Sequence, residues 1–348
     1  MSKNHNFNQL SPAELGFHMP AEWAPHRRCW MAWPSAHIQW ENLPEVEHGY
    51  ANVANAIAQF EPVTMVADPS NMQTARQLCG DNVEVLPMPL DDSWMRDSGP
   101  SFVRHDSDSM VAGIDWRFNA WGGAFSKYQQ DAQTANRILD NLEMEIYHSS
   151  LVFEGGAFHV DGEGTLVVTE SVVLNPNRNY GMDKKQAEIE LCRATGAKKV
   201  IWLPGDLEGD TTDMTDGHVD GIMCFIKPGV VLVERDSDSN SVYAELEREN
   251  RRALELATDA KGRKLEVIDL VSNHSGIGDG YDLFCNSFIN FYLPNGGLVM
   301  PCYGTEADKV VEDQLALLFP ERRIVSVDIN AIAPGGGGIH CITQQQPV

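Results

Sequence analysis

The sequence repeats one pattern along its length: an apolar, β-rich run broken by a tight turn, followed by a helix-like stretch. The turns DGEG, KPG and PNGG supply the positive-φ positions that a hairpin requires. The β-rich runs recur at a spacing of roughly 60 residues, which indicates repeated supersecondary units. We therefore predict hairpins in the runs that begin at Pro100, Ala157, Ile222 and Ser287.

Amphipathic stretches separate these hairpins. Apolar residues recur at i, i+3 and i+4 spacing in the stretches that begin at Asp131, Met182, Ser241 and Thr305. Ser241, with Glu245 close behind, predicts a helix N-cap, and Gly196 predicts a helix end. The segment from Ala51, ahead of VTMVAD, predicts an earlier helix–strand pair. The chain is thus expected to form an α/β fold of four or five strand–strand–helix–strand units around one centre.

Charge and cysteine content exclude several classes of protein. The formal net charge is −24, which repels nucleic acid and anionic lipid and favours cationic ligands. Seven cysteines without a CxxC pair are typical of a reduced, cytoplasmic protein. No apolar run reaches the roughly 18 residues of a membrane span, and the amino-terminal residues lack a secretory signal. We expect a cytoplasmic protein without a nucleic-acid or membrane partner.

The carboxyl-terminal run PGGGGIHCITQQQ combines a reactive side chain with glycines that position it. Four glycines allow the backbone to turn sharply and to approach a ligand closely. Cys341, just beyond them, is a candidate nucleophile. The apolar neighbours Ile339 and Ile342 predict an ordered strand here, whereas the alternative is a flexible tail with an incidental cysteine.

A second candidate segment, DGHVDG, leads into the strand predicted from Ile222. Residues at i and i+2 of an extended chain project from the same face. His218 and Asp220 are therefore expected to place an imidazole and a carboxylate in one site. The alternative for His218 is a histidine of the core with its hydrogen bonds satisfied.

A third segment, DDSWMRDSGP, comes just before the first hairpin. Asp97 is placed to present a carboxylate, and Trp94 offers an aromatic face to a cation. Alternatively, Arg96 forms only a surface ion pair with Asp97 or Asp92, which contributes little. Glu154, ahead of two glycines at another strand entrance, is placed to orient an imidazole.

A thiol, an imidazole and several carboxylates, with no metal cluster or phosphate loop in the sequence, match one reaction. A guanidinium is a planar cation whose N–H groups form a fork that carboxylates bind bidentately. Two carboxylates hold this cation while a thiolate attacks its central carbon. The imidazole then protonates the departing ammonia and activates water against the covalent intermediate. Neither a cofactor nor a metal is expected.

Six motifs carry a resemblance to a known family: GGGGIHCITQQ, DGHVDG, DDSWMRDSGP, FEGGAFHVDGEGT, LNPNRN and FNAWGG. From about Met19 to its end the chain resembles the agmatine deiminases, which belong with the guanidino-modifying enzymes of pentein fold. The resemblance implies a fivefold pseudo-symmetric α/β propeller of ββαβ units. It implies a single catalytic domain over residues 1–348, with about 1–18 as an amino-terminal extension and five pseudo-repeats within 19–348.

The resemblance also implies roles for individual residues. Cys341 corresponds to the nucleophile, His218 to the general acid/base, and Glu154 to its support. The implied reaction converts agmatine, a small cationic guanidine, to N-carbamoylputrescine and ammonia, and a homo-oligomer, dimer or larger, is implied as well. The guanidinium clamp is Asp97 and Asp220, and the residues expected to bind substrate are Trp94, Asp97, Trp121, Asp220 and Gly337.

Several alternatives remain at this point. Asp216, His218 and Asp220 have the D-x-H-x-D form of binuclear manganese ureohydrolases, in which they would be metal ligands. That interpretation leaves Cys341 and its glycines without a role. Within cysteine chemistry, arginine or peptidyl arginine is an alternative substrate and amidino transfer an alternative reaction.

Overall fold

The computed structural model describes residues 7, 9–35, 40–107, 109–206, 213–238, 244–278, 280–281 and 283–348. The strands in this part of the chain are β1 (Phe17–His18), β2 (His26–Ala32), β3 (Val63–Ala67), β4 (Val83–Pro87), β5 (Ser101–His105), β6 (Val111–Arg117), β7 (Ile146–Val152), β8 (Phe158–Val160), β9 (Thr165–Thr169), β10 (Lys199–Leu203), β11 (Met223–Lys227), β12 (Val230–Asp236), β13 (Glu266–Ser272), β14 (Gly297–Cys302), β15 (Arg323–Asp328) and β16 (Thr343–Pro347).

Helices and short helical turns connect the strands. The α-helices are α1 (Leu43–Ile57), α2 (Met72–Leu78), α3 (Met95–Ser98), α4 (Ala120–Gly123), α5 (Thr134–Asn141), α6 (Glu170–Val173), α7 (Pro176–Asn179), α8 (Lys184–Thr195), α9 (Ala244–Leu256) and α10 (Glu306–Leu318). The 3₁₀ turns are Asp131–Gln133, Gly155–Ala157, Val219–Gly221 and Ala333–Gly335. In the described residues, no helix has both the length and the apolar composition needed to cross a bilayer.

The described strands form five sheets that share one plan. In three of them an antiparallel pair is followed by a helix and a parallel third strand: β5–β6–α5–β7, β8–β9–α8–β10 and β11–β12–α9–β13. The fourth sheet has the parallel pair β14–α10–β15, with one antiparallel bridge from Tyr292 to Val299. The sheets thus correspond to the predicted ββαβ repeats.

The two ends of the chain together complete the fifth unit. Strand β16 pairs antiparallel with β2, from Thr343 opposite Met31 to Pro347 opposite His26. Helix α1 then returns the chain to β3, which lies parallel to β2, and α2 leads to a further parallel strand, β4. Five ββαβ units therefore make an α/β propeller, and the pairing of β16 with β2 closes the ring.

Local sequence explains why these elements form. Strand β9, TLVVT, is buried along its whole length, as expected for a strand that is covered on both faces. Helix α8 begins with a reciprocal capping box between Asp183 and Gln186 and ends at Gly196, whose φ of 72° is left-handed. A Cβ at Gly196 would lie 2.4 Å from the Phe17 carbonyl oxygen, so the close approach also requires glycine. The predicted helix end at Gly196 is confirmed, whereas the predicted cap Ser241 lies outside the described residues.

The hairpin predicted from Ser287 forms only in part. Its first arm is irregular except for the Tyr292 bridge, because backbone groups there bind a buried side chain instead of a strand. Glu234 accepts the amide N–H groups of Phe288, at 2.9 Å, and Ile289, at 3.0 Å, as well as the hydroxyl of Ser287 at 2.6 Å. The other three predicted hairpins are confirmed.

Candidate active site

Each unit contributes one short segment to the same central place. The segment comes directly before the first strand of the unit, where the chain turns in towards the middle of the ring. In chain order the five segments bring Asp97 ahead of β5, Glu154 ahead of β8, His218 and Asp220 ahead of β11, Asn290 ahead of β14, and Cys341 ahead of β16.

Cys341 lies in a turn and not in the strand that its apolar neighbours predict. Residues 339–342 form this turn, in which the Thr343 amide donates to the His340 carbonyl oxygen at 3.1 Å, and β16 begins only at Thr343. Ile339 and Ile342 are buried, but they anchor the two sides of the turn. A Cβ at Gly337 would lie 2.3 Å from the Trp94 ring, so glycine is required here by the close approach of a side chain, whereas the predicted approach to a ligand stays a prediction.

Asn290 holds the Cys341 turn, and sequence reasoning missed it. Its side-chain oxygen lies 3.4 Å from Cys341 Sγ and accepts the amide N–H groups of His340, at 2.9 Å, and Cys341, at 3.3 Å. Its side-chain amide donates to the Asp220 carbonyl oxygen at 3.3 Å. The signal was a polar residue at a buried position of the apolar run FINFY, because such residues need specific hydrogen-bond partners.

His218 and Asp220 reach the same site by a different backbone from the one predicted. Val219–Gly221 is a 3₁₀ turn, so the i, i+2 argument for an extended chain is wrong. Both side chains nevertheless converge on Gly156. A Cβ there would lie 2.7 Å from His218 Nδ1, 2.9 Å from Asp220 Oδ2 and 2.9 Å from Asp97 Oδ1.

Asp97 is fixed by one donor from its own unit and one from the next unit. Its Oδ2 accepts the indole N–H of Trp121, and its Oδ1 accepts the amide N–H of Gly156, each at 2.9 Å. His218 Nδ1 lies 3.8 Å from Asp97 Oδ1. Arg96 is 3% exposed and donates to the His340 carbonyl oxygen and to Gln345, so the alternative of a surface ion pair is wrong.

Glu154 contacts the His218 imidazole on the side opposite to Asp97. His218 Nε2 lies 3.4 Å from Glu154 Oε2, while Glu154 Oε1 accepts from Arg178 Nε at 2.9 Å. Arg178 also donates to the Asp216 carboxylate and to the Thr215 carbonyl oxygen. The LNPNRN motif thus supplies a buried cation that compensates Glu154 and holds the loop ahead of His218.

The buried carboxylates shift the pKa of the imidazole that they face. Burial alone lowers the pKa of His218, but the charge of Asp97 and the hydrogen bond and charge of Glu154 outweigh it and raise the pKa to about 9. Burial raises the pKa of Asp97, an effect to which the charges of Asp220 and Glu154 add. His218 is therefore an imidazolium at neutral pH and is able to act as an acid.

Cys341 rests as a neutral thiol. Burial, followed by the charge of Asp220, which lies 3.7 Å from Sγ, and the charges of Cys285 and Asp97, raises the pKa of the thiol well above 9. Burial would raise the pKa of Asp220 as well, but the hydrogen bond and charge of His340 lower it below the ordinary value. The Cys341 thiol thus faces the negative charge of these carboxylates.

A cavity of about 200 Å³ opens onto these groups. The residues that sequence reasoning assigned to substrate binding all line it: Trp94, Asp97, Trp121, Asp220 and Gly337. Of the residues predicted to be catalytic, Cys341 and His218 also line it, whereas Glu154 lies behind His218 and is completely buried. The predicted residues are therefore brought together in one place.

The geometry does not favour the metal alternative. The Asp216 carboxylate binds Arg178 and Asn177 instead of converging with His218 and Asp220. Among the described residues, one set of three or more His, Cys, Asp or Glu side chains has its potential metal-ligand atoms within 4.8 Å of one another. That set is Glu22, His159 and His340, and it does not include Asp216, His218 or Asp220.

Known proteins resemble this chain over nearly its whole length. The family model described as Porphyromonas-type peptidyl-arginine deiminase matches residues 18–347. Agmatine deiminase of Ectopseudomonas mendocina is 40% identical over 362 residues, covering 97% of each chain. Agmatine deiminase of Medicago truncatula is 38% identical over 371 residues, covering 97% of this chain and 98% of that protein.

Solved structures extend the likeness to the fold. A structure of the agmatine deiminase of Enterococcus faecalis superimposes with a TM-score of 0.90 at 36% identity, covering 97% of this chain and 98% of the other. DDAH from Pseudomonas aeruginosa, at 10% identity and a TM-score of 0.51, shares the fold alone and covers 92% of this chain and 99% of its own. The chain therefore belongs to the Porphyromonas-type peptidyl-arginine deiminase family and has the pentein-type fivefold α/β propeller fold of guanidine-modifying hydrolases.

Proposed function

We propose that this chain is an agmatine deiminase that converts agmatine and water to N-carbamoylputrescine and ammonia through a covalent adduct on Cys341. The observation that carries the proposal is the convergence of Asp97, His218 and Asp220 on Gly156, with the Cys341 thiol 3.7 Å from Asp220. The relatives named agmatine deiminase, which match nearly the full length of the chain, support the choice of substrate.

Asp97 and Asp220 bind the guanidinium. Carboxylates on two different units face one narrow cavity, and a planar cation between them offers N–H donors to both. Trp94 and Trp121 line the cavity with aromatic surface, which suits a flat, delocalised cation. The bound cation offsets the repulsion between the two acids, which is otherwise a cost of the empty site.

The same cation activates the thiol. In the empty site, burial and the charge of Asp220 hold the pKa of Cys341 well above 9. A guanidinium beside the sulfur lowers that pKa, because an opposite charge favours the thiolate, and the thiol proton leaves to solvent. Substrate binding and nucleophile formation are then linked, so a free thiolate is not exposed to other electrophiles.

His218 moves the remaining protons. After the thiolate adds to the central carbon of the guanidinium, the His218 imidazolium protonates one nitrogen, the C–N bond breaks and ammonia leaves. The neutral imidazole then takes a proton from water as its oxygen attacks the thiouronium carbon. Collapse of this second adduct breaks the C–S bond, and the proton of the added hydroxyl passes to the sulfur. The ureido product is released, and the thiol is restored beside the imidazolium already formed. Glu154 and Asp97 keep the imidazole charged and oriented.

Product analysis tests the proposed substrate. With agmatine, the purified chain is expected to release ammonia and N-carbamoylputrescine in equal amounts, with the same rate in the presence of a chelator. Urea and putrescine would instead indicate the manganese ureohydrolase reaction. Turnover of arginine or peptidyl arginine in preference to agmatine would retain the cysteine chemistry and replace the substrate.

The pH dependence of kcat/KM tests the proposed acid. The pKa of His218 is raised to about 9, so the acid form predominates at neutral pH and is lost as the pH rises through that value. We expect kcat/KM to fall above about pH 9, tenfold for each further pH unit. Glu154→Gln removes a charge that raises this pKa, so the alkaline limb is expected to move to lower pH. An alkaline limb that stays in place in Glu154→Gln would contradict the assignment.

The proposal also includes a single catalytic domain over residues 1–348. A cytoplasmic location and a homo-oligomer, dimer or larger, stay predictions from the sequence. The size of the native protein in solution, measured by light scattering, tests the assembly.

A further inference from the structure

His340, the residue before the nucleophile, lies between two carboxylates. Its Nδ1 lies 2.9 Å from Asp220 Oδ2 and its Nε2 lies 3.0 Å from Glu22 Oε2. All three side chains are buried, with 4% or 5% of each residue exposed. The pKa of each acid is lowered, against the effect of its burial, in part by the charge of His340. An ionised carboxylate only accepts hydrogen bonds, so both ring nitrogens of His340 donate and the ring is an imidazolium.

The other groups around His340 come from several elements. Arg96, from α3, donates to the His340 carbonyl oxygen at 3.3 Å and, by its charge, opposes protonation of the ring. His159, from β8, has its Nε2 3.6 Å from Glu22 Oε2, and its Nδ1 accepts the amide N–H of Phe225. Burial lowers the pKa of His159, so this ring is a neutral donor to Glu22. Cys224, whose pKa burial raises well above 9, is neutral.

Glu22 therefore decides the charge of His340. Burial and the charge of Arg96 both lower the pKa of His340, and Glu22 and Asp220 together raise it above the ordinary value. Asp220 is the acid whose own ionisation is at issue, so the independent negative charge is that of Glu22. Without the Glu22 charge, Asp220 alone raises the pKa of His340, while burial and the charge of Arg96 still lower it.

The charge of His340 matters because Asp220 shares its cavity with Asp97. Two buried carboxylates around one site repel each other, and one of them takes up a proton unless a cation compensates. The pKa of Asp97 is already raised, in part by Asp220. The Asp220 oxygen that accepts from His340 is also the oxygen 3.7 Å from Cys341 Sγ. His340 thus fixes which oxygen faces the sulfur.

We propose that Glu22 and His340 are positioning residues for the guanidinium clamp: Glu22 holds His340 as an imidazolium, and His340 holds Asp220 ionised and oriented towards the site. The relay runs from the segment before β2, through the turn before β16, to the turn before β11. It rests on the proposed function only in taking an amidine-type or guanidine-type cation as the ligand of Asp220.

A metal ion is the competing occupant, because atoms of Glu22, His159 and His340 lie within 4.8 Å of one another. Two observations favour the proton. The Arg96 guanidinium lines the same small cavity as these three residues and would repel a cation. Both nitrogens of His340 already face carboxylates, so metal binding would require loss of a proton and of one hydrogen bond.

The test measures how strongly the site prefers a cationic reagent. In the full-length protein, Cys341 is alkylated in parallel with 2-chloroacetamidine, a cation, and with 2-chloroacetamide, its neutral counterpart. In both reactions the sulfur displaces chloride, a C–S bond forms and the thiol proton leaves to solvent. Mass spectrometry of the Cys341 peptide gives the two rate constants, and their ratio reports the negative charge that Asp97 and Asp220 present.

Three variants separate the relay from a general loss of packing. At about pH 8, Glu22→Gln is expected to lower the ratio at least about tenfold, with recovery towards about pH 6 as His340 regains its proton. His340→Gln is expected to lower the ratio similarly at both pH values, because glutamine does not titrate. His159→Gln contacts the same glutamate from the other side and is the matched control, expected to stay within about twofold.

The outcomes that overturn the relay are distinct. The first is an unchanged ratio of the two rate constants in Glu22→Gln, and the second is a fall of that ratio in His159→Gln as large as in Glu22→Gln. The third is a fall of the ratio when a chelator is added to the protein without substitutions, which would assign a metal to Glu22, His159 and His340. If His340→Gln does not fold, the recovery of Glu22→Gln between two pH values still decides, because it compares one protein with itself. If the chain without substitutions does not turn over agmatine, the proposed substrate is wrong. The alkylation ratios still test the relay in that case, because they do not depend on turnover.

Discussion

Cys341→Ala is expected to abolish turnover while leaving the fold intact. The thiol forms the only covalent bond between the chain and the substrate in the proposed reaction, and removal of a nucleophile of this kind reduces kcat by about 10⁴-fold or more. The side chain is small and borders the cavity, so its loss leaves little unfilled space. Ammonia release and thermal unfolding, measured on the same preparation, test the two parts of the prediction.

Cys302→Ala is a suitable control, because Cys302 is likewise partly exposed and lies in β14. It is expected to retain activity. Cys285 lines the same cavity, so it is the rival nucleophile. Burial raises the pKa of Cys285 to about 12. Acid quenching during turnover should trap the amidino adduct on the peptide that contains Cys341, and an adduct on the Cys285 peptide would reject our assignment.

The repeat could be predicted from sequence because each unit is encoded locally. Tight turns such as DGEG and amphipathic helices such as α8 are fixed by residues near in the chain. Closure of the ring was different. The pairing of β16 with β2 joins residues more than 300 positions apart, and no turn motif or periodicity in the sequence predicts it. Only the resemblance to a family of five-unit propellers implied it.

The site was predictable as a set of residue types but not as geometry. Cys341 and His218 were identified by the chemistry of their side chains and by the glycines near them. Their backbones were predicted to continue as strands, whereas Cys341 lies in a turn and His218 comes directly before the 3₁₀ turn Val219–Gly221. Short apolar–polar alternation does not distinguish these states. The turns form because hydrogen bonds to distant residues replace a strand partner, such as the bond that the Cys341 amide N–H donates to the Asn290 side-chain oxygen.

Residues that act through others left the weakest signal. Asn290 contacts Cys341, Arg178 contacts Glu154 and His340 contacts Asp220, and each of the three was either missed or left without a role. Their partners are more than 20 positions away in sequence. A buried polar residue requires a partner, but sequence does not say which one. The structure supplies those partners.

The second large effect is expected for His218→Gln. The imidazolium donates the proton that lets ammonia leave, and the neutral ring accepts one from water, so its loss is expected to reduce kcat by about 10²- to 10⁴-fold. Glutamine keeps a polar group near Glu154, which lies 3.4 Å from Nε2, but it cannot titrate. The alkaline limb near pH 9 is therefore expected to disappear together with the rate.

The two half-reactions separate this role from simple misplacement. With His218→Gln, the thiolate still forms beside the bound cation, so alkylation of Cys341 by 2-chloroacetamidine is expected to remain within about tenfold of normal while turnover falls much further. His148→Gln, which alters an exposed imidazole–carboxylate pair with Asp115, is the control and should leave both rates unchanged. If alkylation and turnover fell in parallel in His218→Gln, the imidazole would act by shaping the site, and the proton transfers would belong to another group.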